Sequence, residues 1–247
     1  MSEVEAFVLA GGRGLRLGEL TQERQKCLLP IDGKPVLGHI LDTLVDAFGS
    51  VNLRIGVAYR AEDVKAYVDA NKPTQISVEY VPHPLGVDVW DAFISMEKVM
   101  RGDFVCTPGD IIVAPEAYTK VYELFLKCDA EVTLALSSDV AVVDTHGVGK
   151  LRNLDLVEYS CPPPETLDLD HLRDTTIYAS DKRMFALLNR FPLPGLGLCP
   201  IFEKFLEHRI PVQGVRYESP WIHIGYPEDL EKSLAIFQNV SSERQGL

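Results

Sequence analysis

The feature that most constrains this chain is an apolar run, Ala6-Phe7-Val8-Leu9, that gives way at once to Ala10-Gly11-Gly12-Arg13-Gly14-Leu15-Arg16-Leu17. An apolar run bounded by glycines predicts a buried strand that ends in a loop. Glycine amides, free of side chains, can approach an anion, and the guanidinium forks of Arg13 and Arg16 add charge-assisted hydrogen bonds. The stretch therefore reads as a cradle for polyphosphate. It differs from the two commonest phosphate loops, because it lacks a Gly-Lys-Ser/Thr ending and the final glycine of the dinucleotide pattern.

Downstream, helical and strand-like patterns alternate. Val36, Leu37, Ile40, Leu41, Leu44, Val45 and Phe48 recur at helical spacing, and Gly49 closes that helix. Residues 53–58 then read as a strand and 61–71 as a helix turning Val64, Tyr67 and Val68 inward. A strand at 78–81, a helix at 89–99, a strand at 104–106, a helix at 114–128 and a strand at 131–136 continue the series. This βαβα rhythm predicts a three-layer α/β/α sandwich with a mostly parallel sheet. Beyond Ser137 the pattern is less regular, with short strands at 149–152, 155–160 and 175–179 interrupted by Cys161-Pro162-Pro163-Pro164. Helices at 181–190 and 201–209, strands at 212–216 and 221–224, and a helix at 227–239 that opens on Pro227-Glu228-Asp229 complete the reading.

Three more blocks follow the cradle in order: Leu20-Thr21, then Lys26-Cys27-Leu28-Leu29-Pro30, then Gly33-Lys34-Pro35. The whole series closely resembles the N-terminal motif of the sugar-1-phosphate nucleotidyltransferases, which runs Leu-Ala-Gly-Gly-x-Gly-Thr-Arg-Leu, Leu-Thr, Pro-Lys-x-Leu-Leu-Pro, Gly-x-Pro. A lone glycine loop would say little, whereas ordered blocks within about thirty residues make chance a poor explanation. The resemblance implies one nucleotidyltransferase domain over residues 1–247, with a Rossmann-like nucleotide-binding half at 1–136 and an acceptor-binding half at 137–247. Many members carry a C-terminal β-helix of hexapeptide repeats; this sequence ends before one, which matches a short form of the family. The implied reaction is attack by the phosphate oxygen of a sugar or polyol phosphate on the α-phosphorus of a nucleoside triphosphate. An NDP-sugar forms and pyrophosphate leaves.

Carried over residue by residue, the resemblance gives Arg16 the triphosphate and Lys26 the α-phosphate and acceptor phosphate. Leu9, Ala10, Gly11, Gly12, Arg13 and Gly14 become nucleotide contacts, and Gly86 the glycine against which the base lies flat. Asp110 holds the place of the family's Mg²⁺ ligand, and a hard oxygen is what Mg²⁺ requires. Several positions depart from the pattern. Leu15 replaces Thr or Ser, Gln25 replaces Pro, and Gly86-Val87-Asp88 replaces Gly-Thr-Ala. The family's Glu-Lys-Pro, which grips sugar hydroxyls and the acceptor phosphate, has its matching place at Ser160-Cys161-Pro162, leaving Lys150 and Lys182 as other candidates for that phosphate. Asp174-Thr175-Thr176 stands where the family has Asn-x-Gly. The second metal ligand, an Asp in Trp-x-Asp-Ile-Gly, is His223 in Trp221-Ile222-His223-Ile224-Gly225. Imidazole suits Mn²⁺ or Zn²⁺ better than Mg²⁺, so His223 stands open as a softer-metal ligand, a phosphate contact or a packed histidine. Glu218, Glu228 and Asp229 are the nearby carboxylates that could take over the metal.

Composition bounds the remaining alternatives. A formal net charge of −12 argues against nonspecific nucleic-acid or anionic-membrane binding, both of which need a broad basic surface. Five scattered cysteines without a Cys-x-x-Cys pair indicate neither a disulfide framework nor a zinc site. The acidic start and the short first apolar run fit a cytoplasmic, soluble protein. Homo-oligomerisation is left open. Two competing readings remain: a noncatalytic, nucleotide-binding relative, favoured by His223, Ser160 and Cys161, and a glycosyltransferase, whose Asp-x-Asp motif is matched only in letters by Asp168-Leu169-Asp170.

Overall fold

In the computed structural model, which describes residues 3–86, 88–140, 146–193, 197–234 and 236, the first apolar run is a strand, β1 (Val4–Leu9). A small hairpin of β2 (Pro30–Ile31) and β3 (Lys34–Pro35) leads into α1 (Val36–Phe48), β4 (Val51–Val57), α2 (Ala61–Asn71), β5 (Ile76–Pro82) and α3 (Val89–Ile94). Then come β6 (Phe104–Pro108), β7 (Ile111–Ile112), α4 (Pro115–Lys127), β8 (Val132–Ser137), β9 (Val148–Arg152), β10 (Asp155–Ser160) and β11 (Leu172–Ser180). The chain continues through α5 (Arg183–Arg190), α6 (Ile201–Glu207), β12 (Val212–Tyr217) and β13 (Ile222–His223). Residues 227–234 are helical, and the rest of the last expected helix, apart from residue 236, lies outside the described residues.

One sheet of nine strands organises the chain, in the order β5-β4-β1-β6-β11-β8-β12-β10-β9. The first four are parallel, because each return between them is a crossover containing a helix. The expectation of a mostly parallel sheet needs correction beyond that point. β11 runs antiparallel to both β6 and β8, β10 is antiparallel to β12 and β9, and only β8 with β12 is parallel. β9 also pairs with β11, so the last five strands close on themselves. For β9 and β10 the reason is local: they are joined by a two-residue turn in which Asn153 has φ +58°. Such a turn reverses the chain and cannot return it parallel. The sheet is therefore mixed.

Strand alternation divides the core between the two faces. Ala6 and Val8 belong to one cluster with α1, α2 and α4, while Phe7 points to the other with α3, α5 and α6. β6 repeats the division, with Val105 on the first side and Phe104 and Cys106 on the second. Phe7 anchors the second side through edge contact with Phe93 at 4.7 Å and a tilted contact with Phe104 at 5.4 Å. No helix among the described residues is long and apolar enough to cross a membrane.

Phe7 is fully buried, so Phe7→Ala is expected to lower the free energy of unfolding by about 3–5 kcal/mol, the usual cost of the lost burial and the cavity left behind. Urea denaturation of the two proteins measures it.

Candidate active site

β1 and β6 run side by side and end at the same edge of the sheet. The Gly109 N–H donates to the Leu9 carbonyl at 2.8 Å, and a Cβ on residue 109 would lie 2.9 Å from that oxygen. Glycine alone permits this approach. The loop leaving β1 and Asp110, just past β6, are thereby brought together. Gln25, 2 % exposed, fastens the other side of the loop. Its Nε2 donates to the Ala10 and Gly12 carbonyls at 2.6 and 3.1 Å, and its Oε1 accepts the Cys27 N–H. One side chain thus ties the glycine loop to the turn that carries Lys26. A proline, as in the family pattern, could make none of these side-chain bonds, so the departure at Gln25 has a structural role that the letter alone did not disclose.

Lys26 reaches across to form an ion pair with Asp110 Oδ2. The ladder between β13 and β7 sets His223 opposite Ile111, and the Ile224 N–H donates to the Asp110 carbonyl at 2.9 Å. His223 Nε2 is consequently 3.8 Å from Asp110 Oδ2. His146, which sequence analysis did not single out, packs against His223 with ring centroids 4.7 Å apart. Its Nδ1–H donates to the Asp174 carbonyl at 3.0 Å, which leaves Nε2 unprotonated in the neutral ring.

The charges of this cluster follow from its surroundings. Burial pushes the Asp110 carboxyl up, but the Lys26 ammonium and then His223 outweigh it, and its pKa is held down at about 2. Burial lowers His146, aided by His223, to about 4. Burial also lowers His223, although Asp110 opposes the shift. At neutral pH both imidazoles are therefore uncharged, and Asp110 is an anion.

Leu9, Gly11, Gly12, Arg13, Gly14, Arg16, Lys26, Gly86, Asp110 and His223 all line one cleft of about 720 Å³. Ala10 is buried beneath the loop. Arg16 donates to the Tyr226 hydroxyl at 3.1 Å and covers its ring at 4.9 Å; Arg13 covers the Tyr59 ring at 5.2 Å. Gly86 has φ +83°, a conformation that L side chains resist. Its neighbour Val87 lies outside the described residues. Thr176 also lines the cleft and has φ +58°, a left-handed backbone at the place where the family pattern has glycine. Asp174 supports it from below: the carboxylate accepts the Thr176 N–H at 2.6 Å and the Tyr159 and Tyr178 hydroxyls at 2.6 and 2.8 Å. The signal for this cluster was present in the Asp174-Thr175-Thr176 alignment, but one of its partners, Tyr159, comes from another strand, β10.

Other sequence candidates lie away from the cleft. Lys150 pairs with Asp168 at 2.7 Å and Glu158 at 3.4 Å, and neither it nor Lys182 lines the cleft. Asp168 and Asp170 flank a fully exposed Leu169, as a solvated loop does. Asp229 accepts the Gly225 and Tyr226 N–H groups at 2.8 and 2.7 Å, Glu218 accepts the Ser138 hydroxyl at 2.5 Å, and Glu228 is exposed. None of the three substitutes for the missing carboxylate beside Asp110.

The same donor set can be tested against the implied cation. No group of three or more His, Cys, Asp or Glu among the described residues is arranged to hold a metal ion. Mg²⁺ commonly takes one or two carboxylates together with substrate phosphate oxygens and water. Asp110 fits a cation shared with a bound triphosphate, and the set does not fit a cation held by protein alone.

A nucleotide-sized cleft between a glycine loop and an acid–base cluster, at the carboxyl ends of parallel strands, defines a phosphate-handling α/β protein. The match to the family described as Nucleotidyl transferase extends over residues 5–232, and the chain belongs to that family. It is 25% identical over 243 residues to a bifunctional protein GlmU of Methanococcus maripaludis, covering 96% of this chain and 55% of that protein. It is 25% identical over 251 residues to the UTP–glucose-1-phosphate uridylyltransferase AglF of Haloferax volcanii, covering 97% and 99%. The chain thus spans just over half the length of the GlmU relative. Among solved structures, the inositol-1-phosphate CTP transferase of T. maritima superposes with a TM-score of 0.77 at 19% identity, covering 96% of each chain. A UDP-glucose pyrophosphorylase complexed with UDP-glucose superposes at 0.81 with 15% identity, covering 96% of this chain and 99% of that one. Likeness at that level concerns the fold.

Removal of the Lys26 cation by Lys26→Met takes away the largest influence that lowers Asp110, so its pKa is expected to rise from about 2. Carboxyl-carbon NMR titration of the metal-free protein reads this directly. The sign for stability follows. A depressed folded-state pKa stabilises the fold at pH above the unfolded value, and that contribution is lost as pH falls through about 2.

Proposed function

We propose that the chain is one metal-dependent nucleotidyltransferase domain joining a nucleoside triphosphate to a sugar or polyol phosphate, with residues 1–136 as its nucleotide half and 137–247 as its acceptor half. The observation that carries this reading is convergence. Arg16, Lys26, Asp110 and His223, far apart in the chain, line one cleft with the glycine loop. The strand order of the parallel half, third-second-first-fourth, supports a Rossmann-like nucleotide site over the carboxyl ends of those strands, with helices on both faces of the sheet.

Displacement at the α-phosphorus needs little covalent help; it needs alignment of the attacking oxygen and positive charge around the phosphoryl oxygens. In this reading the loop from Leu9 to Gly14 and Arg16 grip the triphosphate, and Gly86 leaves the base a flat backbone to lie on. Lys26 touches both the α-phosphate and the acceptor phosphate. Its partnership with Asp110 holds the ammonium at one place in the cleft before substrate arrives. A bound Mg²⁺ or Mn²⁺, held by Asp110 together with phosphate oxygens, would neutralise charge on the triphosphate, with His223 as its second protein donor. Arg13, Arg16 and Lys26 are the only Lys or Arg among the described residues lining the cleft. The acceptor phosphate therefore depends on the nucleotide half for its countercharge.

Because an imidazole replaces a carboxylate beside Asp110, a noncatalytic nucleotide-binding relative is the second reading. Pyrophosphate release from each nucleoside triphosphate, against a panel of sugar and polyol phosphates, separates the two. The transferase reading expects release that depends on one acceptor; no release from any pair, with nucleotide binding intact by calorimetry, favours the second. Lys26→Ala and Asp110→Asn are each expected to cut turnover by about 10²–10³-fold with the circular dichroism spectrum retained, and normal turnover in either variant would sink the assignment. Turnover with Mn²⁺ is expected to exceed that with Mg²⁺, and His223→Asp to reverse the order, as the change of donor from nitrogen to hard oxygen requires.

A further inference from the structure

The two arginines of the glycine loop each rest on an aromatic ring, but the two rings are held differently. Arg13 covers the Tyr59 ring at 5.2 Å, and the Tyr59 hydroxyl is turned away to the Thr21 and Gln22 carbonyls at 2.9 and 2.8 Å. Arg16 covers the Tyr226 ring at 4.9 Å, and its Nη1 also donates to the Tyr226 hydroxyl at 3.1 Å. This second contact joins residues 210 positions apart and crosses from the first half of the chain to the second.

Tyr226 is itself fixed, because it belongs to a short strap over residues 222–229. Ile222 and His223 pair with Ile112 and Ile111, and the Ile224 N–H donates to the Asp110 carbonyl at 2.9 Å. Beyond Tyr226 the Asp229 carboxylate accepts the Gly225 and Tyr226 N–H groups at 2.8 and 2.7 Å. The ring is thus tethered from both sides. Arg16 is not neutralised there: among the described residues its side chain makes no ion pair and no hydrogen bond other than that to Tyr226.

We propose that Tyr226 is a positioning residue for Arg16, holding the guanidinium ready for a triphosphate, so that the strap that places His223 beside Asp110 also places the arginine of the loop. A long side chain gives up rotamer freedom when it meets an anion, and Arg16 has already given it up on the ring. A carboxylate in the place of Tyr226 would order the arginine and cancel its charge; a neutral phenol orders it and leaves the charge to the ligand. Stacking engages the face of the guanidinium, whereas phosphate oxygens take its edge, and one hydrogen bond from Nη1 leaves the other N–H donors open. The proposal rests on the reading of Arg16 as a triphosphate ligand and does not depend on turnover.

The test is calorimetric titration of the intact chain with ATP, CTP, GTP, UTP and dTTP in Mg²⁺, repeated on variants with whichever of the five binds the wild type best. Tyr226→Phe keeps the ring and loses the hydroxyl, and is expected to weaken binding about two- to threefold; Tyr226→Leu loses both, and is expected to weaken it about five- to tenfold. Arg16→Gln is expected to weaken binding further, and adding Tyr226→Leu to it to cost nothing more. A tyrosine that only supported the local fold would add its own loss to that of Arg16→Gln. Where an acceptor supports turnover, the tyrosine variants are expected to raise KM for the triphosphate and leave KM for the acceptor unchanged. Binding by Tyr226→Leu as tight as wild type or tighter, or a loss that persists in full without Arg16, overturns the proposal. Should Tyr226→Leu fail to fold by circular dichroism, the same cycle with Tyr226→Phe decides. A loss in Arg16→Gln without one in the tyrosine variants overturns the positioning role alone; normal binding by Arg16→Gln, or no triphosphate bound by the wild type, overturns the functional reading of Arg16 and the proposal with it.

Discussion

The contact between the Gly109 N–H and the Leu9 carbonyl, at 2.8 Å, is the constraint on which the site depends. It brings the ends of β1 and β6 so close that no side chain fits at 109. Everything chemical in the first half leaves from those two ends. The glycine loop turns off one, Asp110 off the other, and the Lys26 turn is clamped to the loop by Gln25. An ion pair spanning two loops would ordinarily lose much of its value to the entropy of ordering them. Here both partners are partly buried and their backbones are held by other bonds, so Lys26 and Asp110 meet without further ordering.

The second half completes this arrangement by a different kind of sheet. β11 enters antiparallel beside β6 and brings Asp174 and Thr176 toward the cleft, while β13 reaches back to β7 and brings His223 to Asp110. Asp174 is spent on two tyrosine hydroxyls and the Thr176 amide, so its role is to shape the wall. Burial keeps His146 and His223 neutral beside the buried ion pair, which adds no further positive charge to a cleft already supplied by Arg13, Arg16 and Lys26. In a chain of net charge −12 these cations are a local exception, concentrated where an anion would bind.

Much of this was legible from the residue order. Strict helical periodicity located α1 and α2 with the bounds observed, and the apolar run before the glycines is β1. The glycine loop, Arg16, Lys26 and Asp110 could be picked out because each is coupled to its neighbours in sequence by a local motif. What could not be read there depends on pairing between distant strands. The antiparallel closure of β9, β10 and β11 left only short, irregular patterns, since these strands follow one another without a crossover helix to mark them. The clamping role of Gln25 could not be read there because its partners, the Ala10 and Gly12 carbonyls, are backbone atoms without a residue signature. The contact of His146 with His223 was invisible for the same reason, being a meeting of segments that no spacing rule relates.

Local order alone thus specified the strand, the phosphate-suited loop and the charged groups around it, because propensity, glycine freedom and charge are properties of short stretches. Tertiary structure decided which of those charges meet, that His223 and not Asp229, Glu218 or Glu228 stands beside Asp110, and that the sheet is mixed. Those outcomes rest on strand register and burial, which are set by contacts between residues far apart in the chain.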